Sequence, residues 1–432
     1  MFLALVGAYP KDSDSIFGHV FLVYAPENKN ISFLNWNVVN FAADISKVKW
    51  YEMYYKGING GFNAYYYKMS LSEKVNEYAG NETRDIRFFP VILSKGEFSK
   101  LTEKLKELED EPIPYKFFTY NCADGTYQIL YESLENIPKS TKKIMAPLDV
   151  VSWLFTNHRL EEPYMLPALM ERIQKTTDNE QADLEFMEWQ NKQTKVLHNQ
   201  TREEKMAQLR HSLSQKKVNR PEMIVPDQKW TDPHGISRVE IGMIHAGNGI
   251  SGNIGFRPFL HDQTDNQHFF SGVSTLEILS TNLIIQENNI SMHQIDIFHT
   301  RSTQIYDNWF RSLSYDIYAG IIDNKYKVNI GMGRSFYLAK NPKIAMEFLL
   351  LDSLRNGTNH VGFETQILKH TIGKFRYGIR YEHLYKGITN EKWIRFSSWF
   401  AYDLNRNYGL FLEKTLDSNE KGTTKMSVRY YF

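Results

Sequence analysis

The sequence predicts three successive parts. These are an α+β region over residues 1–160, a helical connector over 161–228, and an all-β antiparallel barrel of about 12 strands over 229–432. Three observations carry this. Up to residue 160, short apolar runs alternate with helical spacing. The connector is polar and charged with only partial apolar faces. From about residue 235, segments of about ten residues alternate apolar and polar side chains between Gly, Asn, Asp and Lys turns.

The first element is the run Phe2 to Val6, which predicts a buried strand that ends at the turn cluster Pro10 to Ser15. It lacks the basic start and the small-residue cleavage site of a signal peptide, so an export signal is taken to have been removed ahead of it. Val20 to Tyr24 and Ile86 to Leu93 read as further strands. Phe98, Leu101, Leu105 and Leu108 share one face of a helix, with Ser94 and Glu97 at capping-box spacing. In the connector, Leu184, Met187, Val196, Leu197, Met206, Leu209 and Leu213 predict a solvated helix pair, and Pro221 and Pro226 end it.

The last segment runs Met426-Ser427-Val428-Arg429-Tyr430-Tyr431-Phe432, with apolar or aromatic residues at every second position. Taken alone it fits the terminal strand of an outer-membrane barrel or of a soluble sandwich equally well. Phe375, Tyr377, Ile379 and Tyr381 repeat the pattern, and the chain holds 26 Tyr and 27 Phe. So many aromatics, many of them near strand ends, favour a barrel with lipid-facing rims. The chain's mean hydropathy of -0.47 does not oppose this, because every second residue of such a strand is polar.

Composition narrows the function classes. Lys and Arg number 51 against 50 Asp and Glu, so no global basic field favours nucleic acid. One cysteine excludes an internal disulfide framework. The 13 histidines show no paired-ligand spacing and no phosphate-binding glycine loop is present, so neither metal nor cofactor is expected.

The lone cysteine, Cys122, follows an aromatic extended run and precedes a helical stretch. A helix N-terminus stabilises a thiolate, although an isolated cysteine is more often an inert buried hydrophobe. His19 enters a strand directly after Gly18, where a base could stand.

Taken in order, several elements resemble one family. They are Ser15-x-Phe17-Gly18-His19-x-x-Leu22, Gly61-Phe62, Arg84-Asp85, Tyr115-x-Phe117-Phe118-x-x-Asn121-Cys122 and Pro147-Leu148-Asp149. Downstream come His234-Gly235-x-Ser237-Arg238 and Arg257-Pro258-x-x-His261-Asp262. This set resembles the Lnb N-terminal periplasmic domain family followed by a barrel-like domain. That family is similar to circularly permuted papain-like hydrolases of the NlpC and lecithin-retinol-acyltransferase type.

The resemblance implies a permuted papain-like domain with Cys122 as nucleophile and His19 as base. Asn37, or else Asn35, would orient the imidazole, and the Cys122 N–H, helped by Asn121 or Tyr120, would hold the oxyanion. Ser15, Gly18, Asn35 and Tyr120 would line the cleft. Arg84 and Asp85 are expected to pair with each other, and Arg257, His261 and Asp262 to fix a turn at a strand end. The expected protein is a monomeric cysteine hydrolase or acyltransferase in a bacterial outer membrane with its N-terminal domain in the periplasm. Its partners would be membrane lipid and a peptide, peptidoglycan or acyl-lipid substrate. The alternative is a non-catalytic assembly or maturation factor, or a pore.

Overall fold

The computed structural model describes residues 1–7, 18–26, 32–44, 56–57, 59–109, 111–117, 119–175, 179–192, 200–214, 234–247, 249–266, 273–286, 289–340, 342–369, 374–387, 391–418 and 422–432. The chain falls into two compact units, with the division at residue 231.

The first unit is built on a seven-stranded antiparallel sheet. Its strands are β1 (Phe2–Val6), β2 (His19–Tyr24), β3 (Asn37–Ala43), β4 (Phe62–Ser70), β5 (Ile86–Pro90), β6 (Ile113–Tyr115) and β7 (Tyr164–Leu166), in the order β6-β4-β3-β2-β1-β5-β7. β1 and β2 are buried on both faces, which is why they read as continuous apolar runs rather than alternating ones.

One face is covered by α1 (Leu71–Lys74) and the π-helix that continues it (Val75–Asn81). Leu71, Tyr78 and Ala79 pack there with Phe21, Val23 and Val38. Three helices follow: α2 (Lys95–Glu107), α3 (Cys122–Ser133) and α4 (Pro147–Thr156). The Ser94 hydroxyl accepts from the Glu97 N–H at 3.1 Å, and the Glu97 carboxylate accepts from the Ser94 N–H at 2.8 Å. This is the capping box expected from spacing.

The connector holds α5 (Leu169–Lys175), α6 (Asn179–Lys192) and α7 (Gln200–Ser214). Leu184, Met187 and Met206 form its small apolar core, with Leu209 and Leu213 against it.

The second unit is a closed antiparallel barrel. Its strands are β8 (Arg238–Ala246), β9 (Gly249–Arg257), β11 (Val273–Gln286), β12 (Asn289–Thr303), β13 (Ser314–Ile322), β14 (Lys325–Lys340), β15 (Lys343–Arg355), β16 (Thr358–Lys369), β17 (Phe375–Lys386), β18 (Lys392–Asp403), β19 (Tyr408–Asp417) and β20 (Thr423–Tyr431). The short β10 (Phe259–His261) lies on β11. Pairing of β20 with β8 and of β9 with β11 closes the ring at twelve strands, the number read from the alternating segments.

The barrel is apolar outside and polar inside. On β20 and at the residue after it, Met426, Val428, Tyr430 and Phe432 are 57, 48, 40 and 44% exposed, whereas Ser427, Arg429 and Tyr431 are 2–3% exposed. Ile241, Ile254, Ile330, Leu350 and Leu410 continue the outer face round the ring. An apolar surface of this extent does not stand in water, and it marks a membrane-spanning barrel of the outer-membrane type. Tyr402, Tyr408 and Tyr430 face outward at one rim and Tyr326 and Tyr385 at the other. Trp393 and Trp399 depart from the expected belts. They turn inward, where Trp399 packs with Leu368, Ala401 and Phe411. Gly378 faces the Trp399 indole so closely that a Cβ there would lie 2.7 Å from it.

Candidate active site

Cys122 is the first residue of α3. Asn121 caps that helix. Its Oδ1 accepts from the Ala123 N–H at 2.7 Å, and the Asp124 carboxylate accepts from the Asn121 N–H at 3.0 Å. The Asn121 amide nitrogen donates to the Phe117 carbonyl at 3.0 Å and to the Met145 carbonyl at 2.9 Å. The second bond ties the start of α3 to the residues before α4, whose Asp149 in turn accepts from the Ala146 N–H at 2.8 Å. The Asn-Cys and Pro-Leu-Asp elements of the sequence are therefore both tied, by the Asn121 and Asp149 side chains, to the Met145–Ala146 backbone between them. Asn121 is committed to this cap, which corrects its expected oxyanion role. The Tyr120 hydroxyl is likewise taken, by Gln128.

The Cys122 thiol is buried, and burial pushes it up to about 12. The backbone N–H groups of Val20, Ala123 and Cys122 itself oppose that shift. The sulfur thus lies against the peptide that follows His19.

Gly18 has φ +83°, a conformation open to glycine, and turns the chain into β2 so that His19 is its first residue. The His19 ring is buried. Its Nε2 is hydrogen-bonded to Asn40 Oδ1, which makes Nε2 the protonated nitrogen and leaves Nδ1 with the lone pair. Burial is the main cause that lowers the imidazole to about 3, and the charges of Lys74 and Arg84 lower it further. Tyr78 lies 5.7 Å from the ring, with Lys74 and Arg84 over its own ring at 4.9 and 4.8 Å.

Asn40, on β3, is the residue hydrogen-bonded to the imidazole, and the sequence reading did not single it out. Asn37 pairs with Tyr24 at the far end of the β2–β3 ladder. Side chains alternate between faces, so the register that sets Val38 opposite Val23 carries Asn40 to the His19 face and Asn37 to the other. Asn35 is exposed in a 3-10 turn (Phe33–Asn35) outside the sheet. Neither fills the expected role. The only sequence signal for Asn40 was a second asparagine three residues on, at the opposite parity.

Arg84 does not pair with Asp85. It pairs with Glu82 and donates to the Gly7 carbonyl at 2.6 Å, while Asp85 accepts from the Ala168 N–H at 2.7 Å. Neighbouring residues of an extended chain point apart, so the two serve different partners. Ser15 lies outside the described residues.

His19 and Cys122 converge on β2 without joining. Among the described residues no hydrogen bond links thiol and imidazole. The ring faces Tyr78, whereas α3 packs on the opposite face, where Gly125 lies against the Phe41 ring. In the barrel, His261 ends β10 with its Nε2 3.0 Å from Ser274 Oγ, and Asp262 pairs with Arg238 at 2.7 Å.

Residues 2–157 match the family model of the Lnb N-terminal periplasmic domain. That match covers β1 to β6 and α1 to α4. Residues 231–432 match a second model, described as a domain of unknown function (DUF7840). No curated protein matches the chain. Among solved structures, the KdgM porin is similar over 45% of this chain and 99% of its own, at 13% identity and a TM-score of 0.28. Omp33 of Acinetobacter baumannii matches over 46% and 99% at 8% identity, and an outer membrane channel of Pseudomonas putida F1 over 48% and 100% at 11%, each with a TM-score of 0.28. The Lnb family's description places its domain in the periplasm, and the barrel's apolar exterior sets the chain in the outer membrane.

Proposed function

We propose that this protein is a barrel-anchored, periplasm-facing cysteine hydrolase or acyltransferase acting on an amide or ester. One observation carries the reading. The single cysteine opens a capped helix, and its sulfur rests on the strand peptide next to a histidine whose ring is fixed by an asparagine. Cys122 is the nucleophile, His19 Nδ1 the base and Asn40 the positioning residue. Thiol and imidazole flank the same strand from opposite faces, so the reaction requires the start of β2 at Gly18–His19 to turn the imidazole toward the thiol when substrate binds.

The sulfur attacks the carbonyl carbon while its proton passes to Nδ1. The C–N or C–O bond then breaks, and the imidazolium gives that proton to the leaving amine or alcohol. Water, or an acceptor hydroxyl or amine, releases the acyl group. The oxyanion lies near the Cys122 N–H. Peptides, peptidoglycan stems and acyl lipids all offer such bonds.

A second reading rests on the resting charge state. A thiol pushed up to about 12 beside an imidazole lowered to about 3 is no thiolate–imidazolium pair, and this favours a non-catalytic envelope factor that uses the domain for binding. An electrophilic acyl probe separates the two. The enzyme acylates Cys122 and turns the probe over, and Cys122→Ala abolishes both. Turnover that survives this change removes the nucleophile. A wild-type chain that is alkylated only as the pH approaches 12, and that never turns the probe over, establishes the binding reading.

A further inference from the structure

At the barrel end where β8 begins and β20 finishes, the described part of the connection that follows β9 runs to residue 266. After β10 it turns inward through Asp262–Asp265, and Asp265 and His261 are fully buried. The turn is closed by its own bonds. The Asp262 carboxylate accepts from the Thr264 N–H at 2.6 Å, and Asp265 N–H donates to the Asp262 carbonyl at 3.0 Å.

The turn reaches the far wall. Gln366 on β16 donates to Gln263 at 2.8 Å, and the Arg376 Nε on β17 donates to the Thr264 carbonyl at 2.9 Å. β16 and β17 stand half-way round the twelve-stranded ring from β9 and β11, so the turn spans a diameter of the lumen. Charge holds it from the near side. Arg238 pairs with Asp262 at 2.7 Å and Asp265 at 3.0 Å, Arg257 also pairs with Asp265, and the Tyr431 hydroxyl donates to Asp265 at 2.8 Å.

Both half-lumens beside the turn are filled. On one side Arg301 of β12 crosses to Glu347 of β15 at 2.8 Å and to Glu364 of β16 at 2.5 Å. On the other, Arg376 is held by Asp403 at 2.6 and 2.7 Å, and Arg429 by Glu240 at 2.9 Å. Arg301, Glu347 and Gln366 are at most 1% exposed, so the side chains of this layer are packed against one another rather than lining open water. Beyond it lies a cavity of about 340 Å³ whose lining includes Asp262 and Thr264 on one side and Lys327, Glu382 and Arg395 on others.

We propose that the Asp262–Asp265 turn is a built-in plug, and that the barrel is a blind, non-conducting anchor whose lumen opens only when the turn leaves the opposite wall. Paired buried charges hold such a plug firmly, because withdrawing one partner strands the other without water. The proposal is independent of the thiol chemistry.

The test is ion conductance of the full chain in planar lipid bilayers, with folding of each sample read by its heat-dependent gel shift. The wild type gives no conductance steps. Asp262→Asn with Asp265→Asn removes the clamp and gives sustained steps. Gln366→Ala removes one neutral anchor and no charge, and gives brief openings; it decides alone where the double variant fails to fold. Open-pore conductance of the wild type overturns the proposal, as do folded variants that stay as tight as the wild type.

Discussion

The two units bury opposite chemistry. In the N-terminal unit, Ala4, Val6, Phe21, Val23 and Phe88 make an apolar interior that takes in a few polar groups, among them the His19–Asn40 pair and the buried Arg84. In the barrel, Arg301, Glu347, Arg376 and Asp403 are inside, and Ile330, Leu350 and Val428 are outside. The same hydrophobic effect sorts both, because apolar groups leave water in each case, into a core for one and into lipid for the other. A charge is thus at home in the barrel's interior, whereas the sheet's interior admits one only with a partner at hand, as Arg84 has in Glu82, and the outer faces are sorted the opposite way.

The sharpest way to break this contrast is a charge on the lipid face. Leu350→Lys, in the middle of β15, is expected to cost roughly 2–4 kcal/mol of barrel stability. Urea titration of folding into lipid vesicles measures it, and an unchanged midpoint would mean that the face is not in lipid.

Next is the acid response of the His19–Asn40 pair. His19 titrates near 6.5 when unfolded and at about 3 when folded. The unfolded chain therefore binds the extra proton between these values. Its contribution is complete above about 6.5 and is lost as pH falls toward 3, with a slope of at most about 1.4 kcal/mol per pH unit. His19→Gln should flatten the acid limb of the N-terminal unit's unfolding, and a limb that keeps its slope assigns it to other groups.

Asn40→Ala leaves the buried imidazole N–H without its acceptor and is expected to cost about 1–3 kcal/mol. Asn37→Ala, at the far end of the ladder, stays within about 0.5 kcal/mol. Comparing their protease-resistance midpoints checks the register directly.

The smallest effect is that of the helix cap. Asn121→Ala removes the α3 cap, worth about 1 kcal/mol. Its extra bonds to Phe117 and Met145 place the loss at or above that value, read from the same unfolding curve.

Much of the architecture was legible in sequence because each unit displays its solvent. Strands covered on both faces, such as β2, show unbroken apolar runs, and strands between lipid and lumen, such as β20, alternate. The α2 capping box and the α6–α7 pair of the connector followed from local chemistry alone, whereas the short α5 ahead of them was not read. The site was legible only in part. His19 and Cys122 stood out by residue type and neighbours, but the partner of the imidazole depended on parity across two strands. A one-residue change of register exchanges Asn37 and Asn40 between faces, and no local propensity records that register.

The sequence by itself determined the alternation of the barrel strands, their number, the capped start of α3 and the identity of its lone thiol, since each is written in spacing a few residues long. Tertiary structure alone decided three other things. It paired His19 with Asn40, gave Arg84 to Glu82 and Gly7 rather than to Asp85, and drove the Asp262–Asp265 turn across the lumen to β16 and β17. Gln263 and Gln366 lie 103 residues apart in the chain and 2.8 Å apart in space. Contacts of that kind are set by ring closure and register, which arise only when distant segments fold against one another.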